Sequence, residues 1–220
     1  INDGLDMHSF TGSMMLGIPY QEFVLKKEAG DEEVSNARQA AKNVGFGIVY
    51  GISKYGLSIQ LTEKLGRLVT PDEAQSYINR YLRTYPGVAV YMDRTKRNAR
   101  KLGYVQTLCG RRRRLSKLID GNYKERGHAE RQAINAPIQG SAADIVKLAM
   151  IRIEEDARLK ELGFTLRLQV HDEFLGNGPK EHADEICDLV QDIMENPFED
   201  PLPVGLPAGP TVCSNWLEGK

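Results

Sequence analysis

The stretch Arg38-Gln-Ala-Ala-Lys42-Asn-Val-Gly-Phe46-Gly-Ile-Val-Tyr50-Gly51 organises the reading of this 220-residue chain. Arg38, Lys42, Phe46 and Tyr50 recur every fourth residue, which puts them on one slowly drifting face of an α-helix. Asp31-Glu32-Glu33 supplies acidic charge where a helix begins, no proline interrupts residues 34–50, and Gly51 is a natural stop. Two cations and then two aromatics run along about 18 Å of helix. That order suits a nucleoside triphosphate, with Arg and Lys on phosphate oxygens and the rings against sugar and base. The same spacing also describes an amphipathic helix with a solvated basic end and a buried aromatic end.

Outward from this helix the chain reads as α+β. Thr70-Pro71-Asp72-Glu73 is an N-cap with proline in the first turn, and it predicts a helix to residue 84, before Pro86. Another helix is expected over residues 88–102, closed by Gly103, then a short strand over residues 104–108 before a turn at Gly110. Residues 123–156 are again helical in pattern, with small residues over 140–143 that favour close packing. After Gly163, residues 165–170 and 173–175 read as a β-hairpin with His171-Asp172 at its tip. A last helix is predicted over residues 180–194, and the proline-rich tail over 197–210 is irregular. Residues 1–30 mix glycine, proline and short apolar pieces without a long periodic pattern.

Composition narrows the function classes. Hydrophobic and charged fractions of 41% and 27% are those of a globular protein long enough to bury a core. No apolar run approaches the roughly 20 residues of a membrane span. Ile1-Asn2-Asp3-Gly4 has neither the features of a secretion signal nor an initiator Met, so the chain is expected to begin inside a longer reading frame. Cys109, Cys187 and Cys213 are odd in number and far apart, which argues against a disulfide framework or a zinc site and fits a reducing compartment. The net charge of −1 conceals a basic stretch over residues 94–114 and an acidic one over 181–200.

Two further constellations carry chemistry. Gln169-Val170-His171-Asp172-Glu173 places adjacent carboxylates at a rigid hairpin tip, where their repulsion is relieved by a divalent cation. An exposed turn that is merely acidic is the plainer alternative. Arg131, Asn135 and Gln139 step by four along the predicted helix. Asn and Gln both donate and accept, so they can meet minor-groove acceptors without strong sequence preference. A polar stripe facing water is the alternative there, and the small residues around it argue against that. The run Arg111–Arg114 fits either a solvated patch or a nonspecific DNA-backbone contact, and its role stays open.

These segments resemble, in order, the motifs of family A DNA polymerases. Arg38, Lys42, Tyr50 and Gly51 match motif B, and residues 169–173 look like motif C. Asp6-Met7-His8, Thr107-Leu-Cys-Gly110-Arg111-Arg112, residues 129–144 and Asn215-Trp216 are similar to further family elements. The resemblance implies a right-hand architecture. Residues 1–11 would connect palm and fingers, 12–125 form the mostly helical fingers, and 126–220 contribute a palm portion of antiparallel sheet, helices and tail. By the same carry-over His8, Arg38, Lys42, Phe46 and Tyr50 bind the incoming nucleotide, with Phe46 implying rejection of dideoxynucleotides. Arg131, Asn135, Gln139 and His171 contact DNA. Asp172 and Glu173 are catalytic metal ligands, and Lys42 is catalytic too. The implied reaction is template-dependent 5′→3′ transfer of deoxynucleotides to a primer 3′-hydroxyl, using two Mg²⁺ ions about 4 Å apart. The implied partners are primer-template DNA, deoxynucleoside triphosphates and an upstream polypeptide carrying motif A and the thumb, with no membrane. The implied location is the cytoplasm, or a host's cytoplasm for a viral source.

Motif A itself, an Asp followed by Tyr or Phe, Ser and a later Glu and Arg, has no match; residues 31–38 are not one. The chain is therefore expected to be one part of an active polymerase whose other part supplies that aspartate. The alternative is a catalytically silent nucleotide- or DNA-binding module. A metal-dependent phosphohydrolase of the His-Asp type is a third reading, disfavoured by the strand context of His171-Asp172 and by the few remaining histidines, His8, His128 and His182.

Overall fold

Helix α3 (Glu32–Val49) is the element around which the N-terminal part is built. Asp31 caps it by accepting from the Val34 backbone N–H at 3.1 Å. One face, Val34, Ala37, Ala40, Ala41, Val44 and Ile48, is buried, and the small residues along it let neighbours come close. The structure, a computed structural model, describes residues 5–219. It divides into two compact units, one ending at Ile138 and the other starting at Gln139.

In the first unit α1 (Met7–Leu16) and α2 (Tyr20–Glu28) precede α3. Helix α1 lies directly over α3, and Gly12 makes that approach possible. A Cβ on Gly12 would sit 2.6 Å from Phe23 Cζ and 3.3 Å from the Arg38 backbone nitrogen. Phe23, from α2, is fully buried and completes this corner with Val34 and Ala37. Helices α4 (Lys54–Leu65) and α5 (Pro71–Thr84) close a second cluster of Ala40, Val44, Ile48, Leu57, Leu61, Val69, Ala74 and Tyr81. Helix α6 (Pro86–Leu102) leads into an antiparallel hairpin of β1 (Tyr104–Gln106) and β2 (Arg112–Arg114). Short α7 (Lys117–Asp120) follows, then the 33-residue α8 (Tyr123–Glu155), which runs past the division between units.

The second unit adds α9 (Ala157–Glu161), strands β3 (Thr165–Val170) and β4 (Glu173–Asn177), a 3₁₀ turn over Lys180–His182 and α10 (Ala183–Glu195). Its core joins Ala149 and Ile153 of α8 to Leu159, Leu162, Ile186 and Ile193. The β3–β4 hairpin pairs Val170 with Glu173 and Gln169 with Phe174, with an irregularity between Leu166 and Leu168. The α+β class expected from sequence is what the structure shows. No helix among the described residues is long and apolar enough to cross a membrane.

Several elements differ from expectation. Residues 7–28 form two helices, too short and too soon interrupted, by Gly17 and Gly30 at φ 72° and 80°, for a period to accumulate. Helix α4 also escaped the reading. Strand β1 stops at Gln106 because Thr107 and Gly110 turn the chain, with Gly110 N–H donating to the Thr107 carbonyl at 3.0 Å. Its partner β2 is three arginines, which carry no apolar alternation. The last helix begins three residues late, behind the 3₁₀ turn.

The space around Gly12 yields a direct test. Gly12→Ala forces the buried Phe23 ring to move and should destabilise the protein by about 1–3 kcal/mol. Gly87→Ala, on α6 with nothing within 4 Å of the added carbon, should be neutral or stabilise by up to about 1 kcal/mol. Thermal unfolding followed by circular dichroism reads both, and equal midpoints for the two variants would contradict the packing described.

Candidate functional site

Helix α3 turns its polar and aromatic side chains outward from the buried alanine face. Arg38 is half-buried, Lys42 exposed, and Phe46 and Tyr50 are 49% and 36% exposed. The reading of a buried aromatic end is therefore excluded. The Phe46 and Tyr50 rings lie 6.3 Å apart at 25°, in a stacked arrangement along the helix end. Tyr50 is the C-cap, and Gly51 at φ 74° ends the helix behind it. Lys42 makes no ion pair among the described residues, so its charge is open to an external anion.

The packing of α1 on α3 brings His8 to the same face. Its ring lies 6.1 Å from that of Phe46, tilted by 39°. Burial pushes the His8 imidazole below its ordinary value; the charges of Arg38 and Lys42 push the same way, while Asp6 opposes them. His8 is therefore predominantly neutral at pH 7. Asp6, quoted from the sequence only as part of the Asp6-Met7-His8 segment, was given no role of its own. Its carboxylate accepts from the backbone N–H of His8 at 3.0 Å, from Ser9 Oγ at 2.7 Å and from Arg38 Nε at 2.8 Å. Burial alone would raise the Asp6 carboxyl, but the Arg38 guanidinium, the Ser9 hydroxyl and two backbone N–H groups hold it well below the usual carboxylate range. An acid two residues before the histidine, at a helix start, was the available signal.

Helix α8 supplies Arg131, whose Cγ would stand 3.0 Å from a Cβ on Gly51, so a glycine is needed there for space as well as for its φ. Asn135 follows one turn on, half-buried. Thus His8, Arg38, Lys42, Phe46, Tyr50, Arg131 and Asn135 all belong to the first unit. Gln139, exposed, is the first residue of the second.

The second unit presents the acidic hairpin. Strands β3 and β4 are joined by His171 and Asp172 alone. His171 has φ 58°, a left-handed conformation that a side chain rarely takes outside tight turns or functional sites. Gln169 Nε2 donates to the His171 carbonyl at 2.8 Å and braces the turn. His171, Asp172 and Glu173 are exposed, and neither carboxylate is in an ion pair with a described residue. Carboxylate oxygens suit Mg²⁺, yet two donors fall short of its near-octahedral shell. No group of three or more His, Cys, Asp or Glu among the described residues is placed to hold an ion. The hairpin thus fits part of a divalent site, for which waters and phosphate oxygens are the usual further donors to Mg²⁺.

Comparison with known proteins bears on what these two surfaces do. A family model described as DNA polymerase family A matches residues 1–218. DNA polymerase I of Streptococcus pneumoniae serotype 4 is 41% identical over 218 residues, 99% of this chain and 23% of that protein. DNA polymerase I of Lactococcus lactis subsp. lactis is 42% identical over 188 residues, 86% of this chain and 20% of the relative. The thermostable DNA polymerase I of Thermus aquaticus is 38% identical over 218 residues, 99% and 24%. The chain therefore spans about a fifth to a quarter of the length of these relatives. Among solved structures, the POL domain of Pol1 from M. smegmatis, in complex with DNA primer-template and dNTP, superposes with a TM-score of 0.79 at 37% identity. That match covers 93% of this chain and 33% of the other.

The charges around His8 make its titration a probe of this face. Lys42→Ala should raise the His8 transition and Asp6→Asn should lower it further. Histidine NMR on the wild type and both variants measures the shifts; movement of both in one direction would contradict the geometry.

Proposed function

The chain belongs to DNA polymerase family A, and we propose that it supplies the fingers and part of the palm of a DNA-directed DNA polymerase. The observation that carries the proposal is the row of half-buried Arg38 and exposed Lys42, Phe46 and Tyr50 on α3, with His8 packed beside it. Residues 1–11 then connect palm to fingers, 12–125 are fingers, and 126–220 belong to the palm. The relative solved with primer-template and dNTP supports DNA and deoxynucleotides as the partners.

In this reading Arg38 and Lys42 bind the triphosphate oxygens, Arg by a fork and Lys as a point charge. Neutral His8 donates a hydrogen bond to a phosphate without adding charge. Phe46 lies against the sugar and Tyr50 against the nascent base pair, their exposed faces being what an incoming nucleotide covers. Arg131, Asn135 and Gln139 contact the DNA minor groove, where donor and acceptor side chains read shape more than sequence. Asp172 and Glu173 hold Mg²⁺, with His171 near the primer terminus. Mg²⁺ held there would supply Lewis-acid charge for attack of the primer 3′-hydroxyl on the α-phosphate with pyrophosphate as the leaving group. An upstream segment carrying the motif A aspartate, as the family resemblance implies, would add a third carboxylate to Asp172 and Glu173, with waters and substrate phosphates as the other donors. A silent binding module explains the row on α3 but leaves the exposed, unneutralised Asp172 and Glu173 without a purpose.

Primer extension with Mg²⁺ and four deoxynucleotides tests the reading, using the chain alone and then mixed with the upstream portion of its reading frame. The mixture should extend primers, the chain alone should be slower by on the order of a hundredfold or more, and Asp172→Ala should abolish extension. An inactive mixture with a verified complex would sink the catalytic assignment.

A further inference from the structure

We infer that Asp6 is a positioning residue for the nucleotide triphosphate, acting through Arg38; the inference rests on the polymerase reading of α3. The Asp6 carboxylate joins two elements that carry proposed phosphate ligands. Through one oxygen it caps α1 at His8 N–H, which sets the start of the helix bearing His8. Through the other it holds Arg38 by Nε, 32 residues along the chain, and accepts from Ser9, whose side chain is fully buried.

The atom used on Arg38 matters. Contact at Nε fixes the direction of the guanidinium plane and leaves both terminal Nη groups without a hydrogen bond to a described residue. Those two groups are the fork that grips a phosphate. A long side chain that is already directed loses less freedom when the nucleotide arrives, which strengthens binding without any new contact to the ligand. A carboxylate beside a triphosphate would ordinarily weaken binding by repulsion. Here its oxygens are engaged by three protein donors and by the cation that it orients, and the pull of those groups keeps it ionised throughout the working range of pH.

Capping alone does not require an aspartate at this position. Serine or asparagine would accept from the His8 N–H about as well. Serine is too short, however, to keep the bond to Arg38. This separates the two roles experimentally, because Asp6→Ser retains the cap and loses the orientation of Arg38. Asp6→Asn is the companion variant, keeping shape and cap but not charge.

The test is a double-mutant cycle on dATP affinity, measured calorimetrically for the wild-type chain, Asp6→Ser, Arg38→Ala and the double variant, with circular dichroism to confirm folding. Asp6→Ser should weaken dATP binding about tenfold when Arg38 is present and less than twofold when Arg38 is already alanine. Asp6→Asn should fall between wild type and Asp6→Ser. Equal losses in both backgrounds would reveal a merely structural role and overturn the inference, as would no loss from Asp6→Ser while Arg38→Ala alone weakens binding. Absence of dATP binding by the wild type would overturn the reading of α3 and this inference with it, an outcome distinct from either of those.

Discussion

The close approach of α1 to α3, set by Gly12 against Phe23 and the backbone of Arg38, governs which side chains meet on the exposed face of the first unit. Were Gly12 to carry a side chain, the buried Phe23 ring would have to move and the contact with the Arg38 backbone would tighten. The alanines on the inner face of α3 serve the same end from the other side, since larger residues at 37, 40 and 41 would push the helices apart. The price is a small-residue seam that contributes little apolar burial, and Phe23, Leu57, Leu61 and Tyr81 compensate at its two ends. Packing and site are thus the same structure seen from two sides of one helix.

Charge is distributed differently in the two units. On α3 Arg38 is engaged by Asp6, whereas Lys42 has no ion pair with a described residue. At the β3–β4 tip two carboxylates stand without an ion pair to a described residue, on a turn that holds His171 at a positive φ. A left-handed histidine and adjacent like charges both cost stability. Both features persist only because the paired strands and the Gln169 brace over-determine the turn. Sites held at a local cost of this kind are where ligand binding is expected to repay it.

Other cations are spent internally. Lys96 and Arg100 both reach Glu130 of α8, and Arg67 meets Glu73 at the start of α5. The Tyr77 hydroxyl also donates to Glu73, and burial raises its phenol above the ordinary value. The Lys96 and Arg100 contacts tie α6 to α8, Arg67 and Tyr77 hold Glu73 in the first turn of α5, and none of them involves Arg38 or Lys42. At exposed positions each adds modestly to stability.

Long, strongly patterned elements were legible in the sequence: α3 from its four-residue repeat and acidic start, α5 and α6 from cap and proline signals, α8 from its unbroken run, and the β3–β4 hairpin from alternation around His171-Asp172. The face shared by Arg38, Lys42, Phe46 and Tyr50 on α3 and the place of Asp172 at the hairpin tip were legible as well, because their spacing is local. Helices α1, α2 and α4 were not, being short or broken by glycine, and neither was β2, whose arginines carry no period. Which end of α3 is exposed, and that Asp6 reaches Arg38, depended on the packing of α1 over α3. Local spacing determines which side chains share a helix face. Only long-range contact, through Gly12 and Phe23 here, decides which face is covered and which residues from distant parts of the chain meet beside it.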